Sequence, residues 1–280
     1  MALYVVATPI GNLDDLTLRA RRVLSDAALV VAEDTRRTRA LLAHLGLEGK
    51  ALRRVDAHAT EHDVAAVVDV LREGSDVALV TDAGTPAVSD PGPLLVAGAR
   101  AAGVRVVPIP GPSAVTAAIS ASGYAIGAFR FVGFLPRSGA ERTAALADLA
   151  AARDAVVLFE APSRLSTTLS DLAAAMPGRR ALVARELTKL HEELLEGALD
   201  ELAETFAARE PLGELTLVLA PWAGPERAAL SEDELLAMID AAIARGGHPK
   251  AIAEEIALAS GRPKRDVYAL VVHRRRGSIK

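Results

Sequence analysis

Cysteine is absent from the 280 residues, which excludes disulfides, thiolate metal sites and a cysteine nucleophile. Aromatics are scarce at 3%, so buried strands have to be built from Val, Leu and Ala. No apolar run approaches the roughly 20 residues that a membrane-spanning helix needs. The opening M-A-L-Y-V-V-A-T-P has no charged n-region and soon reaches proline, so no signal peptide is expected and the cytoplasm is the expected location. The 32 basic and 36 acidic residues give a net charge of -4; the whole chain is no polycation, and any nucleic-acid contact has to come from a local patch. Neither G-x-G-x-x-G after the first apolar run nor G-x-x-x-x-G-K-[ST] occurs, which leaves dinucleotide and P-loop nucleotide binding unsupported.

What is present is a chain 51% hydrophobic and 24% charged, enough for one large or two modest folded domains. The first half alternates short Val/Leu/Ala runs with helical patterns. Strands are expected at Leu3–Ala7, Ala28–Ala32, Leu52–Val55, Val77–Val80 and in V-R-V-V after Gly103. Helices are expected from about Thr17, after Thr35 as cap, across H-D-V-A-A-V-V-D-V-L-R, up to Gly103, and after P-G-P-S-A. Strands of this kind separated by helices argue for a parallel sheet covered on both faces. Ligands bind such sheets beyond the carboxyl ends of the strands. The exits T-P-I-G-N, E-D-T-R, T-D-A-G-T-P and P-G-P-S-A are therefore expected along one edge. In V-T-D-A-G-T-P-A-V-S-D-P-G the two acids divide their work: Asp90, before Pro91, suits a helix start, whereas Asp82 follows a buried strand and faces the ligand edge. An Asx-turn that only shapes the loop is the plainer alternative for Asp82, and an N-cap is the plainer one for Ser113.

The stretch H-A-T-E-H, His58 to His62, fits H-x-x-E-H, but that pattern needs both histidines on one helix, and Thr60 reads as a cap between them. No metal is expected. From Phe129 the pattern changes: F-R-F-V-G-F-L-P, A-V-V-L-F-E, R-A-L-V-A-R-E-L-T and G-E-L-T-L-V-L-A-P read as strands of a second α/β domain. Glu160, Arg164, Arg185, Glu186, Lys189 and Glu192 fall near their ends, as a ligand cluster or as exposed ion pairs. After W-A-G-P-E-R, Ser231 and Glu234 suit a capping box, and two further helices with a glycine turn resemble a helix-turn-helix. Residues 261–280 carry seven Lys or Arg against Asp266 alone, which favours phosphate contact over a merely solvated tail. The expected boundaries are 1–122, 123–224 and 225–280.

T-P-I-G-N-L-D-D-L-T-L-R-A, A-E-D-T-R-R-T-R-A-L-L, T-D-A-G-T-P-A-V-S-D-P-G, P-G-P-S-A, F-V-G-F-L-P-R and R-E-L-T-K-L-H-E-E, in this order, closely resemble the tetrapyrrole methylase-like family, in its branch acting on bacterial small-subunit ribosomal RNA. The resemblance implies an α/β fold with a parallel-sheet N-terminal domain, a mixed-sheet second domain and a small helical C-terminal extension. It implies S-adenosylmethionine as cofactor, held between the two sheets' domains by Ile10, Gly11, Asp82, Ala83, Gly84, Thr85, Ser113 and Ala114. It also implies 2′-O-methylation of a cytidine in 16S rRNA near the decoding centre, and a homodimer. E-A-P-S-R departs from the family by placing Ser163 where a histidine is usual, so no histidine role carries over. For activating the hydroxyl or stabilising the developing alkoxide, the candidates are Glu160, Glu186 and Lys189, the lysine as base only if burial depresses its pKa. Arg36, Arg37 and Arg164, with Lys264, Arg265, Arg274 and Arg275 of the tail, are candidates for RNA phosphates. A small-molecule methylase of the same fold would leave the tail idle, and a non-enzymatic nucleic-acid-binding regulator would leave the loops idle.

Overall fold

In a computed structural model of the chain, all residues except 57, 91, 210, 223, 225–231, 261 and 278–280 are described. Two compact units divide the chain, residues 1–222 and 223–280.

The first unit holds two five-stranded sheets. One is parallel throughout: β1 (Leu3–Val6), β2 (Leu29–Ala32), β3 (Leu52–Arg54), β4 (Val77–Leu79) and β5 (Val106–Ile109), in the order β3-β2-β4-β1-β5. Helices α1 (Leu18–Asp26), α2 (Thr35–His44), α3 (Glu61–Arg72) and α4 (Gly92–Ala101) connect the strands, and α5 (Ala114–Ala121) follows β5. Because both faces are covered, the inner strands β2 and β4 are wholly Val, Leu and Ala and buried at every position, whereas edge strand β3 is Leu-Arg-Arg. Thr17 caps α1 by accepting from the Ala20 N–H. The cap of α2 is Asp34 rather than Thr35: its carboxylate accepts from the Arg36 N–H. A carboxylate placed one residue earlier reaches the free amides and favours the positive helix end.

The second sheet is mixed, in the order β6-β7-β10-β8-β9. Its strands are β6 (Phe129–Phe134), β7 (Ala155–Glu160), β8 (Arg180–Arg185), β9 (Glu193–Ala198) and β10 (Leu215–Leu219), with α6 (Gly139–Ala151), α7 (Leu165–Ala175) and α8 (Leu199–Ala207) between them. Only β6 and β7 pair in parallel. The edge strand β9 and α8 were not anticipated; E-L-L-E-G-A buries a single residue fully and carries little apolar alternation. A core of Leu, Val and Met from β7, β8, β10, α7 and α8 fills one face.

The second unit comprises α9 (Glu232–Ala244), α10 (Pro249–Ser260) and α11 (Lys264–Gly277). They share a core that includes Leu235, Ile239, Ile252, Ile256, Val267 and Val271. The short α10–α11 connection agrees with the expected helix-turn-helix spacing. Ser231, half of the expected capping box, lies outside the described residues. Among the described residues no helix is long and apolar enough to cross a membrane.

Candidate functional site

In the parallel sheet, β1 leads to β2 on one side, whereas β4 leads to β5 on the other, so a crevice opens where these neighbours β1 and β4 end. Their exits are tied together. The Thr8 N–H donates to the Gly84 carbonyl at 2.9 Å and the Gly84 N–H to the Thr8 carbonyl at 3.1 Å, with Gly84 at φ 83°. Ala87 and Ser89 of the same loop also have left-handed backbones, at φ 69° and 64°, a cost concentrated at functional sites. Asp90 holds that conformation: its Oδ1 accepts from the Ala87 N–H at 2.9 Å and from the Gly92 N–H, at the start of α4, at 2.7 Å. Asp90 therefore serves the helix start, as expected, and the loop as well.

All four exits line one cavity of about 410 Å³, within the range of about 300–1,000 Å³ usual for small-molecule sites. Ile10, Asp82, Ala83, Gly84, Thr85, Ser113 and Ala114 are in its wall, joined from the second sheet by Phe134, Phe159, Glu160 and Thr216. Ser113 lines the cavity at the N-cap of α5, yet its side chain makes no cap hydrogen bond. Asp82 makes no Asx-turn on its own loop. Its Oδ1 accepts from the Asp34 N–H at 3.0 Å and its Oδ2 pairs with Arg37 at 3.6 Å, which joins the β2 and β4 exits.

Gly11 is not in the wall. A Cβ there would overlap Lys189 Cγ and lie 2.8 Å from the Leu187 carbonyl oxygen and Thr188 Oγ1. The lack of a side chain admits the 187–189 loop, rather than a ligand, against the β1 exit. The Asn12 N–H donates to Thr188 Oγ1 across the same contact at 3.0 Å.

The three catalytic candidates are engaged in structure. Glu160 is buried; its Oε2 accepts from the Thr168 hydroxyl at 2.6 Å, its Oε1 accepts from the Ala161 N–H at 2.8 Å and pairs with Arg164 at 3.2 Å. Glu186 and Lys189 lie outside the cavity wall and pair with each other at 2.7 Å, and Lys189 also pairs with Glu214 at 3.1 Å. The Lys189 ammonium, hydrogen-bonded to Glu186, holds that carboxyl below its ordinary range. Burial alone would lower the lysine, but the Glu186 and Glu214 carboxylates outweigh it and hold the ammonium above its usual value. That direction runs against the condition set for Lys189 as a base; its ammonium is held between two carboxylates.

Glu33, read in the sequence only as the end of β2, is the residue that reasoning missed. It lines the cavity, accepts from the Thr81 hydroxyl at 3.0 Å, and is pushed above the usual carboxylate range by burial, with Asp82 and Asp90 adding to it. With Asp82, Asp90, Glu160 and Glu214 against Arg37 alone, the wall is acid-rich. Among the phosphate candidates, Arg36 is exposed and pairs with its own cap Asp34. Arg37 turns onto Asp82, and Arg164 donates to the Leu135 carbonyl besides pairing with Glu160. In the second unit Lys264 pairs with Glu254, Arg265 with Asp266 and Arg274 with Asp240; Arg275 is half-buried. His58 precedes the capping box that Thr60 and Asp63 build at the start of α3, so His58 and His62 do not share a helix face.

Residues 2–203 match the tetrapyrrole (corrin/porphyrin) methylases. A protein of Xylella fastidiosa named ribosomal RNA small subunit methyltransferase I is 41% identical over 269 residues, 95% of this chain and 97% of its own. Proteins of the same name from Micromonospora olivasterospora and Thermotoga maritima are each 42% identical, the first over 96% of this chain and 86% of its own, the second over 78% and 97%. Among solved structures, cobalt precorrin-4 methyltransferase superposes with a TM-score of 0.60 at 20% identity, covering 78% of this chain and 94% of its own. Uroporphyrin-III C-methyltransferase of Thermus thermophilus, complexed with S-adenosyl homocysteine, gives 0.56 at 21%, covering 79% and 97%. At those identities the structures speak for the fold.

Proposed function

From the premise that this chain belongs to the ribosomal RNA small subunit methyltransferase I family of tetrapyrrole methylases, we propose that it transfers a methyl group from S-adenosylmethionine to the 2′-hydroxyl of a cytidine in 16S rRNA, near the decoding centre. The convergence of four strand exits on one acid-rich cavity carries the reading. Its wall holds seven of the eight positions that the family resemblance ties to the methyl donor, all but Gly11. The names of the relatives supply the substrate class.

The residues fit the donor. When bound, it supplies an electrophilic methyl group on a sulfonium centre. Glu33, Asp82 and Asp90 set a negative wall against a cationic ligand, while Ile10, Val115 and Phe159 offer it apolar surface. Gly84 lets backbone approach it closely. Orientation of donor and hydroxyl gives most of the rate: effective molarities of about 10⁵ M and above correspond to about 7 kcal/mol or more. Asp82 and Asp90 contribute by fixing the loops that set that geometry. The homodimer and the cytoplasmic location belong to the same proposal.

Incubating the protein with methyl-labelled donor and small ribosomal subunits, then mapping the label, tests this reading. Label on one cytidine ribose is expected. Label on a base, or none on the RNA while a tetrapyrrole accepts it, would overturn the reading.

A further inference from the structure

A second hollow adjoins the donor cavity. It measures about 820 Å³ and shares Phe134 and Ala161 with the donor cavity's wall. Its own lining differs in character: Arg137, Arg142 and Arg164, with the hydroxyls of Ser163 and Thr167, and no carboxylate. Arg142 and Arg164 are held in place by neighbours; Arg142 pairs with Asp171 at 2.7 Å and donates to the Pro136 carbonyl at 2.9 Å. Arg137 is exposed and makes no ion pair or side-chain hydrogen bond among the described residues. Phe134 is 55% exposed in a chain with five phenylalanines, and it packs at a tilt against Phe159, whose ring centroid lies 5.7 Å away. An exposed aromatic at a shared wall, next to an unengaged guanidinium, is the pair of groups that receives an unpaired nucleotide: rings stack bases and arginine grips phosphate.

Building on the RNA reading above, we propose that this hollow seats the acceptor nucleotide, its base on Phe134 and its flanking phosphate on Arg137. The two hollows share Phe134 and Ala161, so a nucleotide held in the second would present its ribose beside the donor cavity. A third hollow of about 280 Å³ also touches the donor cavity, through Arg37, Thr81 and Asp82, but it contains no aromatic residue and its arginine already faces Asp82.

The test compares wild type with Phe134→Ala, Phe134→Tyr, Arg137→Gln and Arg137→Lys, on small subunits and with donor binding measured separately by calorimetry. Phe134→Ala and Arg137→Gln are expected to raise KM for the RNA about tenfold, within the range for losing one stacked base or one phosphate contact. In Arg137→Gln kcat should stay within about twofold and donor affinity unchanged, because that residue lies outside the donor cavity's wall and grips the acceptor equally before and during transfer. Phe134→Tyr and Arg137→Lys should recover most of the loss. Arg137→Gln should also flatten the dependence of log affinity on log salt by about 0.7, one single-strand phosphate. Unchanged KM in both loss variants would overturn the assignment, and so would a loss of donor binding in Phe134→Ala with KM for the RNA unchanged, since the ring lines both hollows and that result would assign it to the donor alone. If the wild type itself leaves RNA unmethylated, it is the proposed function that fails, and the two outcomes are distinct.

Discussion

Glu33 is a carboxylate kept in an uncomfortable place. Burial and two neighbouring acids raise its pKa, so the folded chain holds its proton more tightly than the unfolded chain does. In the interval between the two values the native state binds more protons, and stability falls as pH rises through it. At neutral pH the ionised group is therefore a net cost to folding that a bound cation relieves. Glu33→Gln keeps an acceptor for the Thr81 hydroxyl and removes the charge. It is expected to raise Tm at pH 7 by about 2 °C and to weaken binding of the methyl donor; differential scanning calorimetry and titration calorimetry read the two effects. A variant no more stable than wild type, or one that binds donor as well, would show that the acid wall is incidental. The residue escaped sequence reasoning because an acid after a buried strand looks the same whether it caps the next helix or faces a ligand; in E-D, Asp34 does the first and Glu33 the second. The charge state of Lys189 was illegible for a different reason. Its pKa depends on Glu214, 25 residues further along, and no local pattern reports that partner.

At the level of elements, the sheet-edge site was legible because parallel strands announce themselves. Val/Leu/Ala runs followed by turn residues located every exit to within two or three residues, and switch-point topology did the rest. Edge strand β9 was not legible, since one buried residue in six leaves no period to find. The contact between the β1 exit and the 186–189 turn was hidden too, because it joins positions about 176 residues apart. That contact makes a specific demand on Gly11. Gly11→Ala would place a methyl group against Lys189 Cγ, the Leu187 carbonyl and Thr188 Oγ1, an overpacked site costing about 2 kcal/mol and lowering Tm by about 6 °C. Adding Lys189→Ala removes only the flexible side chain and leaves the carbonyl in the way, so it should restore part of the loss. Full recovery in the double variant would mean that the turn itself is free to move. The turn has little freedom by its backbone: Glu186 and Thr188 sit at φ 53° and 67°, and Glu186 is fixed by Lys189 and by the Glu214 N–H at 2.9 Å.

On the scale of the whole chain, the division at residue 222 separates two kinds of surface. The first unit owns both sheets and every residue lining the acid-rich cavity. The second, 58 of the 280 residues, has its own apolar core and carries the basic helix α11. The Thermotoga maritima relative aligns over 97% of its length while matching only 78% of this chain, so its chain is shorter by about the size of the second unit. Chemistry and RNA affinity should accordingly come apart. Removing residues 226–280 keeps Trp222, which packs on the first unit's core and lies 5.7 Å from the Arg179 guanidinium, and should leave donor binding unchanged. If Lys264, Arg265, Arg274 and Arg275 each neutralise one phosphate, the slope of log affinity against log salt should flatten by about 3, at about 0.7–0.9 per contact. Methylation should then fail at low RNA concentration and return as RNA approaches saturation, with kcat preserved. An unchanged salt slope would remove the basic helix from RNA recognition, because counterion release follows from neutralised phosphates whatever their sequence.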